Sequence, residues 1–346
     1  MTTSIILLNW NGWKDTIECL ESLFNLRDSD FRVVVCDNAS TDGSTERIKE
    51  WASGTLPAQS ANPELARLIL PEIPKPLAFR EMTREQSESD DSNHDERLVL
   101  IQTGANLGFA GGCNVGLRYA LRDGHSRFFW LLNNDTVVEP DALATLVAFV
   151  QQRPGLGICG SLNLSYYNPN LVQTEGGKLY SPWTGRVRKT PSRTVSQLKP
   201  GNTSRIDFVN GASMLVSRAF LEKIGLMEES YFLYFEELDW ARRAKGRFSL
   251  GYCAQSVIYH KEGGSIGSNT NRSERSILSD KYLSHSRVLF TKRFYPWALP
   301  TVLVAVCLAA GYRLCRGDAG RAYGMLVLAL QGLVRDGERV EERDSG

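Results

Sequence analysis

The chain of 346 residues is almost without net charge, 40 lysines and arginines against 39 aspartates and glutamates leaving +1 at neutral pH. That argues against a nucleic-acid partner and confines any anion site to a local patch. The seven cysteines are odd in number, with neither CxxC nor Cys/His zinc spacing, so a disulfide framework and a structural zinc are not expected and a reduced compartment is. No basic n-region precedes the short apolar run Ile5–Leu8, which argues against a secretory signal and for a cytoplasmic protein. GxGxxG and GxxxxGK[ST] are both missing, which leaves neither a dinucleotide fingerprint nor a P-loop and disfavours an NAD-dependent enzyme.

What is present is an alternation. Apolar runs at Ser4–Leu8, Arg32–Cys36, Leu98–Gln102 and RFFWLL are each followed by a polar or Gly-rich turn and then a helical pattern. The first helix carries Ile17, Leu20 and Leu23, with Asp15 and Glu18 spaced as a capping box. The third follows the Gly-rich loop NLGFAGGCNVG and can stop at Gly124; the fourth begins near Pro140. This predicts an α/β fold with a mainly parallel central sheet flanked by helices, its ligands bound beyond the carboxyl ends of the strands. Residues 53–97 break the pattern with prolines and an acidic run, and read as a polar, partly disordered insertion. Residues 1–290 read as one catalytic-type domain, with a hairpin expected through Gly176–Lys189. The basic segment 186–205, with Arg186, Arg188, Lys189, Arg193 and Lys199, suits either a solvated loop or a phosphate-bearing acceptor. Residues 291–346 hold two apolar stretches, Trp297–Tyr312 and Tyr323–Val334. Each falls short of the roughly 20 residues a spanning helix needs, and a packed helical hairpin with one face at a membrane interface is expected.

Polar clusters sit at the strand ends. In DNASTDGS, Asp37 and Asn38 can meet a base or ribose, or serve only the turn. In LLNND, Asp135 can hold Mg²⁺ or Mn²⁺, and His260, after the strand-like QSVIY, can complete that site. The stretch FLYFEELDWARR presents three acids. Asp239 has arginines at i+3 and i+4, the spacing of a local ion pair. Glu237 has no such cation, and Glu236 is offset from it by roughly 100° on a helix.

In this order, DNASTDGS, NLGFAGGCNVG, LLNND, NGASMLVSR, YFLYFEELDWARRAKG and VIYHKEGGSIG resemble family 2 glycosyltransferases of the GT-A fold, most of all the rhamnosyltransferase-type enzymes of cell-surface polysaccharide synthesis. The resemblance implies a nucleotide-diphosphate sugar donor, a glycan or lipid-linked acceptor, Mg²⁺ or Mn²⁺, and inversion in one displacement. It implies donor contacts from Asn9, Asp37, Asn38, Asn106, Gly108, Asn114 and Asn134, and metal contacts from Asp135 and His260. The base falls to Glu237, with Glu236 as second choice. Two departures stand out: the metal motif is Asn-Asn-Asp, and the base position carries Glu where Asp is commoner. A non-catalytic scaffold of the same fold is the alternative, and a homo-oligomer and a location at the inner face of the membrane are both compatible with the sequence.

Overall fold

A computed structural model describes residues 3–27, 30–89, 95–122, 124–188, 191–198, 206–262 and 276–334. The first half alternates as expected: β1 (Thr3–Asn9), α1 (Trp13–Phe24), β2 (Phe31–Asp37), α2 (Ser44–Ser53), β3 (Phe79–Thr83), α3 (Arg84–Ser89), β4 (Leu98–Gln102), α4 (Gly108–Arg122), β5 (Phe128–Asn133), β6 (Thr136–Val138) and α5 (Ala142–Gln151). The second half is strand-rich: β7 (Leu156–Ser165), β8 (Leu171–Glu175), β9 (Gly177–Lys178), β10 (Tyr180–Ser181), β11 (Arg186–Val187), β12 (Arg193–Thr194), β13 (Phe208–Val209), β14 (Ser213–Ser217), α6 (Arg218–Ile224), α7 (Glu236–Ala244) and β15 (Ser249–His260). Three helices close the described chain, α8 (Ile277–Phe294), α9 (Leu299–Cys315) and α10 (Ala319–Val334).

The central sheet runs β12-β8-β7-β14-β5-β1-β2-β4-β3, with β15 and β6 branching from β7. From β5 to β3 it is parallel, and β14 enters antiparallel against β5. Because side chains alternate across a strand, Ile5, Leu7, Val33 and Val35 pack under α1, α2 and α5, while Ile6, Val34, Cys36, Phe129 and Leu131 pack against α4, α6 and α7. Both faces are thus covered, as a parallel sheet requires.

Four expectations are corrected. Residues 53–97 are not simply a polar insertion: Leu65, Leu68, Ile69 and Ile73 are buried, and Phe79–Thr83 adds the edge strand beside β4. A buried carboxylate organises that segment, since Glu21 accepts from Trp51 Nε1 at 2.6 Å, the Ile73 amide at 2.6 Å and Lys75 Nζ at 2.9 Å. Within the acidic run, residues 90–94 lie outside the described residues. Asp15 and Glu18 form no capping box, because both accept from Lys261 Nζ, at 2.5 and 2.6 Å. The glycines of NLGFAGGCNVG lie inside α4 instead of a loop before it: a Cβ on Gly112 would come within 2.3 Å of Leu8, and one on Gly116 within 2.8 Å of Ile6. They let the helix lie directly on β1 and β2.

The C-terminal part also departs from expectation. Residues Pro296–Cys315 form a helical stretch of 20 residues, long and apolar enough to cross a membrane by length and composition. It nevertheless packs as one arm of a hairpin, Val302, Val306 and Ala309 being buried. Arg313 of α9 and Arg321 of α10 both donate to Asp280 of α8 at 2.8 Å, so the boundary expected at 290/291 falls inside a helix bound into both parts. Val304, Leu308, Leu330 and Tyr323 form exposed apolar surface on the same pair.

Gly108 is the tightest point of the framework. Its φ is +70°, and a Cβ there would stand 2.3 Å from the Phe232 carbonyl oxygen. Gly108→Ala is expected to lose about 2–5 kcal/mol of stability in urea denaturation. Gly43→Ala, at φ +77° but with open space around it, is expected to lose only about 1–2 kcal/mol.

Candidate active site

Strand ends make the first wall. Asn9 stands opposite Asp37, and Leu8 opposite Asn133, so the ends of β1, β2 and β5 lie level. Asn9 donates to Asp37 Oδ2 at 2.7 Å and accepts from Thr16 Oγ1 at 2.8 Å and Asn134 Nδ2 at 3.3 Å. Asp37 Oδ1 accepts the Ser40 amide at 2.9 Å, which closes the turn. A carboxylate has about four acceptor sites, so Asp37 keeps capacity for a ligand, while Asn9, itself bonded by Asn134, holds it in place.

Asn38 and Asn114, also expected at the donor, spend their amides inside the protein. Asn38 donates to Asn106 Oδ1 at 2.8 Å and to the Gly108 carbonyl at 3.2 Å, and accepts from the Leu107 amide at 3.0 Å. Asn114 donates to the Met227 carbonyl and to Glu229, and accepts the Met227 amide. Both are buried and satisfied, so their evident work is to shape the loop before α4 and to tie α4 to residues 227–229. Asn106 Oδ1 caps the Gly108 amide at 3.1 Å, and Gly108 serves close packing.

The acids arrive on a strained turn. Phe232, Tyr234 and Phe235 have φ of +55°, +67° and +75°, conformations costly for bulky side chains and found where surroundings over-determine the backbone. Here they do: the Phe109 amide donates to the Phe232 carbonyl at 2.7 Å, and Ser286 Oγ donates to the Tyr231 and Leu233 carbonyls at 3.0 and 2.8 Å. The Phe232 ring stacks on Tyr282 with centroids 4.4 Å apart. The turn delivers Glu236, Glu237 and Asp239 into the first turn of α7, where the helix dipole favours negative charge.

The three acids then separate. Asp239 is fully buried and accepts from Arg243 Nε at 2.6 Å and Tyr231 Oη at 3.0 Å, with Arg293 at 3.1 Å. The ion pair expected from spacing exists, with Arg243, but in the core; Arg242 lies over the Tyr295 ring. Glu236 is buried, and among the described residues its Oε2 has no hydrogen-bond partner. Burial, and then the Glu237 charge, push its carboxyl well above the usual 4.5. Glu237 is partly exposed and lies against Gly211, where an added Cβ would meet its Oε1 at 2.4 Å. Burial pushes its carboxyl up as well, opposed by its own amide, the Lys178 charge and the Gly211 amide.

On the other side, β15 pairs with β6 so that His260 stands opposite Thr136. This brings His260 Nε2 to 3.2 Å from Asp135 Oδ1 and 3.3 Å from Asn133 Nδ2. Gln173 holds the ring from behind, Oε1 being 3.1 Å from Nδ1. Burial alone would raise Asp135 and lower His260, but each outweighs that for its neighbour, so Asp135 is held below 3.8 and His260 above 6.5. The adjacency expected of Asp135 and His260 is therefore present. Among the described residues no cluster of three or more His, Cys, Asp or Glu could hold a metal alone. One carboxylate and one imidazole fit a divalent ion only if substrate oxygens supply the remaining positions, a set that suits Mn²⁺ and, less well, Mg²⁺.

Spacing could not find Gln173, Lys178, Gly211 or the charge cluster of Lys261 with Asp15 and Glu18. Of the basic segment, Arg193 pairs with Glu175 at 3.2 Å, Arg186 and Arg188 are exposed, and Lys189 and Lys199 lie outside the described residues. The expected hairpin is β10 against β11.

Comparison with known proteins decides the family. The profile of "Glycosyltransferase like family 2" matches residues 81–278, and that of "Glycosyl transferase family 2" matches residues 4–66. The chain belongs to glycosyltransferase family 2. It is 28% identical over 174 residues to the low-salt glycan biosynthesis hexosyltransferase Agl10 of Haloferax volcanii, covering 49% of this chain and 53% of that one. It is 25% identical over 180 residues to the N-acetylglucosaminyl-diphospho-decaprenol L-rhamnosyltransferase of Mycobacterium tuberculosis, covering 47% and 58%. The matched segments thus span little more than half the length of these relatives. Among solved structures, the mannosyltransferase PcManGT of Pyrobaculum calidifontis, in complex with GDP-Man and Mn²⁺, superimposes with a TM-score of 0.51 at 16% identity over 96% of this chain and 87% of that one. GalNAc-T7 with UDP, GalNAc and Mn²⁺ gives 0.50 at 14% identity, over 84% and 50%. The fold of this family 2 chain is GT-A.

An acid whose folded-state pKa is raised stabilises the fold less as pH climbs from its unfolded value through the raised one. Glu236→Gln removes that penalty and is expected to raise stability in urea, more at pH 7 than at pH 5. Asp239→Ala leaves Arg243 without its buried partner and is expected to lose about 3 kcal/mol in the same measurement.

Proposed function

We propose that this family 2 chain is an inverting, metal-dependent glycosyltransferase. It moves a hexosyl group, rhamnosyl being the reading its mycobacterial relative favours, from a nucleotide-diphosphate donor to a glycan or lipid-linked acceptor of cell-surface polysaccharide synthesis. The observation that carries this reading is the separation of roles: a partly exposed carboxylate with raised pKa on α7, and an ionised Asp135 beside His260 on β5 to β6 and β15. Single displacement needs a base on the acceptor side and charge stabilisation on the leaving-group side, supplied from different chain segments.

Glu237 takes the proton from the acceptor hydroxyl as that oxygen bonds to the anomeric carbon, while the bond from that carbon to the diphosphate oxygen breaks and its electron pair leaves with the diphosphate. A carboxylate with raised pKa is the better proton acceptor of two otherwise equal ones. Its helix-neighbour Glu236 is buried where Glu237 is partly exposed, and is the poorer candidate. Asp37, held by Asn9 and Ser40, would meet the nucleoside. Asp135 and His260 would hold the divalent ion, which when bound supplies a positive charge for the departing diphosphate. The exposed apolar surface of α9 and α10 supports peripheral contact with the inner face of the membrane, where a lipid-linked acceptor would be met.

A panel of nucleotide sugars screened by thermal shift with Mn²⁺ identifies the donor, because a ligand bound to the native state raises its midpoint. With that donor, Glu237→Gln is expected to lower kcat by about 10²- to 10⁴-fold and to leave donor affinity near wild type; wild-type turnover would remove Glu237 as the base. The base acts deprotonated, so kcat/KM should fall as pH drops, with the acid limb above the ordinary carboxylate value of 4.5. Asp135→Ala is expected to abolish the Mn²⁺-dependent part of donor binding in calorimetric titrations with and without the ion.

A further inference from the structure

Lys178 belongs to no motif, yet the fold brings it between the two halves of the site. It sits on β9, paired with Phe208 of β13. Three residues beyond Phe208, Gly211 lies against Glu237, and five residues before Lys178, Gln173 holds His260. The run from Gln173 to Lys178 therefore leads from the imidazole toward the base, and the Lys178 ammonium is within electrostatic reach of both Glu237 and His260.

The turn before it is built to approach closely. Gly176 has φ +74°, a Cβ on Gly177 would come 2.3 Å from the Phe208 carbonyl oxygen, and Thr174 Oγ1 donates to the Gly177 carbonyl at 2.9 Å. Lys178 is only partly exposed, and among the described residues its ammonium has no hydrogen-bond or ion-pair partner. Two other cations of these segments are committed, Lys261 to Asp15 and Glu18, and Arg193 to Glu175. A partly desolvated cation held near a reaction site with no direct hydrogen bond or ion pair is costly unless an anionic ligand meets it.

We propose that Lys178 binds a phosphate group of the substrates in the space between Glu237 and the Asp135–His260 pair. A lysine there presents a compact charge with three donors to phosphate oxygens. The phosphate belongs either to the nucleoside diphosphate or to a lipid-linked acceptor, and the inference rests on the glycosyl-transfer reading above.

The test uses the full chain with Mn²⁺, titrated by calorimetry with UDP, GDP and dTDP, with the matching nucleosides, and with farnesyl diphosphate as a lipid diphosphate. Lys178→Met is expected to weaken diphosphate binding by about 10- to 100-fold, to leave nucleoside binding unchanged, and to be largely rescued in Lys178→Arg. Loss confined to the nucleoside diphosphate assigns the lysine to the leaving group; loss confined to farnesyl diphosphate assigns it to the acceptor. Wild-type affinity for both in a folded Lys178→Met protein overturns the inference while leaving the glycosyl-transfer reading intact. A wild-type protein that binds none of these diphosphates overturns both.

Discussion

The site depends on one backbone contact, the Phe232 carbonyl seated against the start of α4 at Gly108 and Phe109. A residue with a side chain at 108 would push that carbonyl away, and with it the two positive-φ aromatic residues that follow, Tyr234 and Phe235. Ser286 and Tyr282 of α8 close the same turn from behind. The conformational cost of the turn is carried by packing on two helices, and its return is the placement of Glu237. Because α8 is joined to α9 and α10 through Asp280, the C-terminal helices support the turn before α7 and are not a passive appendage.

Much of this framework was legible in the sequence, for physical reasons that also explain the misreadings. Parallel strands buried on both faces leave continuous apolar runs, so β1, β2, β4 and β5 announce themselves, and turn residues mark where each ends. The Asp239 ion pair was legible because i+4 spacing is local, whereas its burial depends on Tyr231 and Arg293. The glycines of α4 read as a loop because sequence does not say that a strand lies beneath them. Asp15 and Glu18 have the spacing of a capping box, and only the fold brings Lys261 to them across more than 240 positions.

The site followed the same division. Asp135, His260 and the acid pair lie at strand or helix ends within recognisable motifs, and the first two were expected to meet. Gln173 and Lys178 lie in a segment of short, irregular strands whose pairing is set by partners some 30 to 90 positions away, and no local pattern marks them. Asn38 and Asn114 show the converse, since a polar residue in a functional motif can be wholly occupied in building the wall. Their amides stabilise the loop and helix that position others, which a motif does not distinguish from contact with a ligand.

Two carboxylates of one site are shifted in opposite directions, and the direction of each follows from its neighbours. Both feel burial, which favours the neutral acid. At Asp135 the imidazole and the Lys261 charge overrule it, and the group stays anionic. At Glu237 the Lys178 charge and the amides of Glu237 and Gly211 oppose burial without overcoming it, so burial prevails and proton affinity rises. A pair of acids driven apart in this way can divide proton transfer from charge stabilisation within a single fold. An anionic phosphate at Lys178 would offset the positive charge that Glu237 feels from that lysine, so Glu237 would hold its proton more strongly with the phosphate bound than without it.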